Sequence, residues 1–444
     1  MSFKMDEQSY RDLNVFRNGE NVFSLFDLFK KTKTVGGRAL IEQWMRNPSN
    51  VIDDLQKRTA AIAFFSEKKI ELKINHDQFD FILHYLNYER GYLRANLLDS
   101  FFPWLSNRIK SNQNYYVVRV GITYLLGLLK YANDLTSDLI KQDTPSLLVE
   151  LAAKINAVLE VPEINFAYKL SSKDKLNFYQ LGKLDTLFRR EHKLLLYDIF
   201  HAFYELDGLE TLAKIINNQQ FCLASYLAGD VVTIEIEGLF HPALAEPVKN
   251  DIGIAAKNNL IFLSGSNMAG KSSLLKAAGS AVYLAHIGFP IPAKFFRSSI
   301  FNGLITTINL ADNIENGLSH YYSEVMRIKK VASLLVERKK IVVILDELFK
   351  GTNTKDAFDA SLLVINGFSM IPNSIFIISS HITELTSELN AGHIDFKYME
   401  HLMVDAKPEF TYQLKNGVAK DGIGMYFIEN ENILDLLERA KIRF

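Results

Sequence analysis

Residues Gly265-Ser266-Asn267-Met268-Ala269-Gly270-Lys271-Ser272 fit the pattern Gly-x-x-x-x-Gly-Lys-Ser/Thr at every fixed position, with Ser273 following. The spacing suits a polyphosphate. Glycines let successive backbone N–H groups converge on phosphate oxygens, and a helix that begins there adds the positive end of its dipole. Lys271 is then placed to reach the β- and γ-phosphates, and the Ser272 hydroxyl to ligate Mg²⁺. An apolar run, LIFL (260–263), precedes the loop and a helix-like segment follows it. Both flanks count against a chance match in a Gly/Ser-rich turn.

A second group stands directly after IVVIL (341–345): Asp346-Glu347. A carboxylate at the end of a buried strand can hold magnesium through water, and the next acid can polarise an attacking water. That role requires Glu347 within reach of the γ-phosphate. The competing reading, a surface Asp-Glu pair opening a helix, loses ground beside a phosphate loop. His381 follows IFIISS, where a side chain can sense the γ-phosphate. Taken alone, it fits a structural histidine equally well.

These residues need a scaffold, and the apolar runs supply one. LIFL (260–263), IVVIL (341–345) and SIFIIS (374–379) are short, compact and bounded by polar or helical sequence, as fully buried strands are. Open α/β sheets bind ligands at the C-terminal ends of such strands. VVTIEIE (231–237) alternates apolar and polar residues, as a half-buried strand does. Before Gly229-Asp230 the chain reads as helix. Residues 22–45 hold apolar side chains at helical spacing with a Gly36-Gly37 break, and Asn47-Pro48-Ser49 ends that unit. Amphipathic segments follow around 52–66, 76–88, 115–132, 146–160 and 185–216, with no internal repeat. The expected fold is multidomain: an all-α helical domain over residues 1–228, then an α/β P-loop domain over residues 229–444.

With 444 residues, 48% hydrophobic and 23% charged, the chain has the composition of a globular protein of two or three domains. Its 50 basic and 51 acidic side chains nearly cancel, so any nucleic-acid contact must come from a local patch. The lone Cys222 excludes an internal disulfide framework and any CxxC metal site, as a reducing cytoplasm would favour. The N-terminus lacks a secretory apolar region, and the greasiest segment, Tyr115–Leu129, is short and carries Arg119. A cytoplasmic protein with no membrane segment is expected.

The residues around the loop also resemble a known family, the MutS proteins of DNA mismatch repair and recombination, a branch of the ABC ATPases. The likeness runs through Asn267-Met268, through SLLKAAGSAVYLAHIGFPIPA (273–293) with Gly288 and Pro292-Ala293, and through HPAL (241–244) and VKNDI (248–252), which look like lead-in strands. LDELFKGTNTKDAFDASLL (345–363) is similar to the family's acidic strand and loop through Gly351, Thr352, Thr354 and Asp356. SHITELT (380–386) resembles its histidine switch, which assigns His381. DNIENGLSHYYSEV (312–325) looks like its signature loop, although Asn316-Gly317 also reads as a plain turn. In the helical half, residues 24–62 and FYELDGLETLAKI (203–215) resemble the family's core or lever domain, with Thr32, Thr34, Gly37, Arg38, Trp44, Pro48 and Arg58 in structural roles.

The resemblance implies ATP and Mg²⁺ as ligands and a phosphate site of Gly265, Ser266, Asn267, Met268, Ala269, Gly270, Lys271, Ser272 and Ser273. It implies metal ligation by Ser272 and Asp346, and catalysis by Glu347, Lys271 and His381. Asn316, Gly317 and Ser319 would act in trans on nucleotide held by a second copy, so a dimer is implied, along with DNA and repair proteins as partners. There are departures. Ala269, Ser273, Thr307 and Asn309 replace usual Gly, Thr, Arg and Gly, and Pro247 stands where an aromatic often stacks on adenine. No mismatch-reading or connector domain is expected before residue 20, and little chain for dimerising helices after LLERAKIRF (436–444). The span 160–185 is short for a clamp; its Tyr168, Lys169, Lys173 and Lys175 either contact phosphates or form a solvated face. The expected function is a DNA-binding, Mg-ATP-hydrolysing switch in mismatch repair or recombination. The alternative is a nucleotide-switched protein-interaction ATPase without mismatch recognition.

Overall fold

The computed structural model describes residues 3–17, 19, 22–93, 113–140, 143–170, 176–229, 231–266, 268–308, 320–337, 340–390, 392–404, 407–419 and 430–441. The chain forms two compact units, and both are discontinuous. One comprises Leu28–Arg46 and Lys57–Ile215, the other Met1–Asp27, Asn47–Gln56 and Ile216–Phe444.

The first unit is built from helices. The longest that lies wholly within it, Gln113–Leu139, buries Val118, Ile122, Leu125, Leu129 and Ala132 at the three- and four-residue spacing of one helix face. Two polar clusters fix its interior. Asp207 accepts hydrogen bonds from the Lys33 and Thr34 N–H groups and the Thr34 hydroxyl at 2.7–2.9 Å. The Thr34 hydroxyl in turn accepts from the Gly37 N–H, capping the helix Val35–Arg46. Gly36-Gly37, expected to break a helix, therefore lies in its first turn. Small residues are needed there for packing, because a Cβ would fall 2.3 Å from the Tyr204 ring at Gly36 and 2.6 Å from the Asp207 carboxylate at Gly37. Arg58 lies 4.5 Å over the Trp44 ring, a cation–π contact.

The second cluster surrounds Asp185 and Arg189, both buried. Two 2.6 Å hydrogen bonds join them, and Arg189 also donates to the Tyr88 and Arg90 carbonyls. Asp185 accepts from the Tyr85 hydroxyl and the Leu93 N–H. The segment expected as one helix over 185–216 is interrupted here: Phe178–Thr186 runs into a π turn at Leu187–Glu191, and Lys193–Gln219 resumes the α-helix.

The other unit holds two sheets. Strands β1 (Lys4–Met5), β5 (Leu260–Ser264), β7 (Gly303–Thr307), β8 (Ile341–Asp346), β9 (Ile375–Ser379), β10 (Ile394–Val404) and β11 (Lys407–Asn416) form one, in the order β1-β7-β8-β9-β5-β10-β11. All its pairs are parallel except β10 with β11. Strands β2 (Ser225–Leu227), β3 (Thr233–Leu239), β4 (Asn250–Ala255) and β6 (Phe295–Ser299) form the other, in the order β2-β6-β3-β4. The three apolar runs are thus adjacent central strands, as their two-sided burial requires. On one face Val343, Leu345, Phe376 and Phe262 join a core with Val331, Ile365 and Phe368 from the helices His320–Glu337 and Thr354–Ser369. The helix Lys271–Ala285 packs against β7 and β8 from the other face, with Gly279 against Ile344. HPAL (241–244) forms a turn instead of a strand, whereas VKNDI leads into β4.

Residues 1–27, expected with the helical half, lie in the α/β unit. β1 adds a strand to the edge of β7. Asp12 accepts from the Thr306 hydroxyl and the Ile308 N–H, at 2.8 and 2.9 Å, so three polar groups at the end of β7 are satisfied through the N-terminal segment, the third being the Thr306 N–H on the Ser9 hydroxyl. His286 ties the same unit together: its Nδ1 meets the Val282 carbonyl, its Nε2 accepts the Phe301 N–H at 2.9 Å, and Phe3 packs 4.4 Å from its ring.

Two outcomes are expected. Asp185→Ala strands a buried guanidinium and should cost about 3–5 kcal/mol in urea unfolding, while Leu194→Ala at an exposed site stays within about 0.5 kcal/mol. Burial holds the His286 imidazole down to about 4 from its usual 6.5. The unfolded chain therefore takes up the proton first, and the stabilisation present above pH 6.5 falls as pH drops towards 4. Between pH 7 and pH 5 it should cost about 2 kcal/mol, and unfolding curves of His286→Gln should lack that increment.

Candidate functional site

The parallel register places Leu263 opposite Ser379, and Ser379 opposite Asp346, so β5, β9 and β8 end in one row. From that row the chain turns into the loop 265–270. Gly265 has φ +143° and Gly270 φ +95°, conformations that side chains disfavour. Gly270 also lies under the Tyr412 ring, where a Cβ would come within 3.1 Å. It occupies the N-cap of the helix Lys271–Ala285 and leaves that helix start without a side-chain cap.

Lys271 is buried and folds back along the loop, donating to the Gly265 carbonyl at 2.6 Å and the Ser266 carbonyl at 3.2 Å. Burial pushes its ammonium pKa down, against the pull of Glu347 and Asp346. The exposed Ser272 hydroxyl donates to Asp346 Oδ2 at 2.5 Å. Ser379 Oγ contacts the other oxygen of the same carboxylate. Asp346 is thus aimed at Ser272 from one side and pinned from the other.

Glu347 has φ +56°, and Phe349 two residues later φ +58°, positions that cost on the order of 1–3 kcal/mol each for such side chains. The Glu347 N–H is held by the Ser379 carbonyl at 3.1 Å. Its carboxylate lies 3.6 Å from His381 Nδ1, 2.9 Å from Lys350 Nζ and 3.8 Å from Lys271 Nζ. His381, then Lys350 and Lys271, outweigh the effect of burial and hold the Glu347 carboxyl down to about 2. At 3.6 Å the His381 contact is longer than a hydrogen bond.

These groups border a cavity of about 570 Å³. Ser266, Met268, Gly270, Lys271, Ser272, Ser273 and Glu347 form one end of it. The rest of the wall includes Phe240, His241, Leu244, Val248, Met399 and Tyr412. Pro247 is not among the lining residues. Asn250 sets the distant wall, donating to the Tyr412 carbonyl at 3.0 Å and accepting from the Leu414 N–H at 2.7 Å, which joins β4 to β11 across the two sheets. His241 is held neutral, its pKa lowered to about 4 by burial and by Lys276. Of these walls, only the HPAL and VKNDI segments left a trace in the sequence; nothing local marks Met399 or Tyr412.

The donor set suits a magnesium-bound polyphosphate. A hydroxyl and a carboxylate within 2.5 Å are hard oxygen ligands that one small cation can share. The buried Ser266 Oγ has no hydrogen-bond partner among the described residues, and the uncapped helix start faces the same cavity. Ala269 is fully buried in the loop, so its methyl takes up space in the packed interior. Asn353 caps the helix Thr354–Ser369 through Asp356, which gives the Gly351–Asp356 segment a structural part. Asn267, Asn309, Asn316, Gly317 and Ser319 lie outside the described residues, as do Lys173 and Lys175. Tyr168 donates to Asn133 within the helical unit, and Lys169 is exposed. Among the described residues no helix is long and apolar enough to cross a membrane, and no group of three or more His, Cys, Asp or Glu could hold a metal ion by itself.

Residues 8–218 match the family model of MutS domain III, and residues 261–441 that of MutS domain V. The chain is 23% identical over 537 aligned residues to the DNA mismatch repair protein MutS of Bacillus cytotoxicus, covering 99% of this chain and 59% of the relative. It is 27% identical over 237 residues to the DNA mismatch repair protein MutS of Ehrlichia ruminantium, covering 51% of this chain and 28% of that protein. MutS protein homolog 4 of Mus musculus is 25% identical over 287 residues, with 59% and 30% covered. The chain therefore spans only part of the length of each of these relatives.

Proposed function

The chain belongs to the MutS family, and from that premise we propose that it is a cytoplasmic, DNA-binding ATPase acting in mismatch repair or recombination. The observation that carries the nucleotide half is the convergence of Lys271, Ser272, Asp346 and Glu347 at the ends of β5 and β8, with Ser272 on Asp346 at 2.5 Å. Backbone N–H groups of the loop and the helix start receive the phosphates, while the apolar and aromatic walls at Phe240 and Tyr412 receive the base. Lys271 leaves the loop carbonyls to meet the β- and γ-phosphates. Ser272 and Asp346 would hold Mg²⁺, which when bound would supply neutralising charge for the phosphate oxygens.

Glu347 remains ionised throughout the neutral range because its carboxyl is held down to about 2. So acidic a group is a weak base, so it serves to align the attacking water and stabilise developing charge more than to store a proton. His381, half exposed beside Glu347, is placed to respond to the γ-phosphate. By likeness to the family, Asn316, Gly317 and Ser319 complete the site of a second copy, and hydrolysis switches the dimer on DNA. Residues 8–218, matching MutS domain III, would carry that motion.

Lys271→Ala should weaken binding of a fluorescent ATP analogue and reduce turnover by about 100-fold or more. Glu347→Gln should lower kcat about 100-fold with little change in nucleotide affinity. Equal hydrolysis by wild type and both variants would sink the assignment. DNA is tested by anisotropy with matched, mismatched and branched duplexes at two salt concentrations. Nucleotide-dependent binding that weakens with salt is expected. Turnover of ATP with no DNA binding under any condition would transfer the switch to protein partners.

A further inference from the structure

The loop that carries Glu347 is held at two ends. Ser379 fixes its start through the Glu347 N–H. Its far end is held from the helix His320–Glu337, where Glu324 accepts the Lys350 N–H through Oε1 at 3.1 Å and the Gly351 N–H through Oε2 at 3.3 Å. Glu324 is only 9% exposed, so these backbone contacts form where water competes weakly. One turn earlier on the same helix, the Tyr321 ring lies 5.8 Å from the buried Phe349. Between the two anchors the chain holds both left-handed residues, Glu347 and Phe349, which a free loop would relax.

The helix itself is fixed. Arg327, one turn beyond Glu324, donates to the Thr306 carbonyl at 2.6 Å and to the Thr307 hydroxyl at 3.0 Å, and pairs with Asp6. A cavity of about 220 Å³ remains among Glu324, Arg327, Glu347 and Phe349. Apolar packing between helix and loop is therefore incomplete, and the Glu324 carboxylate carries much of the tie.

We propose that Glu324 is a positioning residue for hydrolysis: it clamps the Lys350 and Gly351 N–H groups and so keeps the Glu347 carboxylate between Lys271 and His381. The inference rests on the ATPase assignment above, and it links the geometry of Glu347 to the helix His320–Glu337. Displacing a reacting group by about 1 Å can cost about 100-fold in rate, so loosening one anchor suffices.

The test compares Glu324→Ala, Glu324→Asp and Glu324→Gln in the full chain. Three quantities are read: affinity for a fluorescent ATP analogue, kcat at saturating Mg-ATP, and amide hydrogen exchange at Lys350 and Gly351. Alanine removes the carboxylate and aspartate falls short, so both should lower kcat about 10- to 100-fold while affinity stays within about 3-fold. Exchange at the two amides should rise about 10-fold, with β5 unchanged. Glutamine keeps one oxygen acceptor but turns its NH2 donor towards the other backbone N–H, so exchange should rise at one of the two amides only and kcat should fall less than in alanine. Should the alanine variant fail to fold, the aspartate and glutamine pair decides. Unchanged kcat or unchanged exchange in the aspartate variant overturns the proposal, as does unchanged exchange at both amides in the glutamine variant. If the wild type itself turns over no ATP, the ATPase assignment fails and the positioning role falls with it, while the exchange data still report whether Glu324 holds the loop.

Discussion

The site depends on one row of the sheet. With Leu263, Ser379 and Asp346 side by side at the ends of β5, β9 and β8, a single hydroxyl at Ser379 can pin Asp346 while its backbone carbonyl holds the Glu347 N–H. A register slip of one residue in β8 would carry Asp346 out of reach of Ser272. The three strands are buried on both faces, so their alignment is set by close packing with helices on either side, and the chemistry inherits that rigidity.

Around that row the charged groups stand in fixed positions. Asp346 and Glu347 face Lys271, Lys350 and His381 within a partly dry pocket, and the attraction more than offsets the cost of burying the Glu347 carboxylate. Lys271 shows the opposite balance, with burial weakening its hold on the proton and the two acids restoring part of it. A group of mixed charges held in fixed positions suits a reaction in which phosphate charge shifts, because little reorganisation is then required. The strained backbone at Glu347 and Phe349 belongs to the same arrangement, maintained by contacts at both ends of the loop.

Local sequence revealed the parts that obey local rules. The phosphate loop shows because its glycines must take φ above zero, and the three apolar runs show because a strand buried on two faces has no polar positions. Errors arose where one signal had two causes. Gly36-Gly37 looked like a helix break, yet the missing side chains make room for Tyr204 and Asp207. The segment 185–216 looked like one helix because a π turn keeps helical composition while admitting a buried Arg189. Strands β10 and β11 gave no clear alternation, since their half-exposed faces mix polar and apolar residues throughout.

By itself the sequence determined the loop that can hold phosphates, the acids Asp346 and Glu347 beside a buried strand, the helical first half and the family likeness. Each of these is written in contiguous residues or a fixed spacing. Only the tertiary structure decided what stands opposite them. Tyr412 over Gly270, Phe240 across the cavity, Glu324 on the Lys350 and Gly351 amides, and the N-terminal segment on β7 are contacts between parts of the chain far apart in sequence. Such pairings follow from how buried surfaces fit and which polar groups must be satisfied once packed, and those energies leave no periodic mark along the chain.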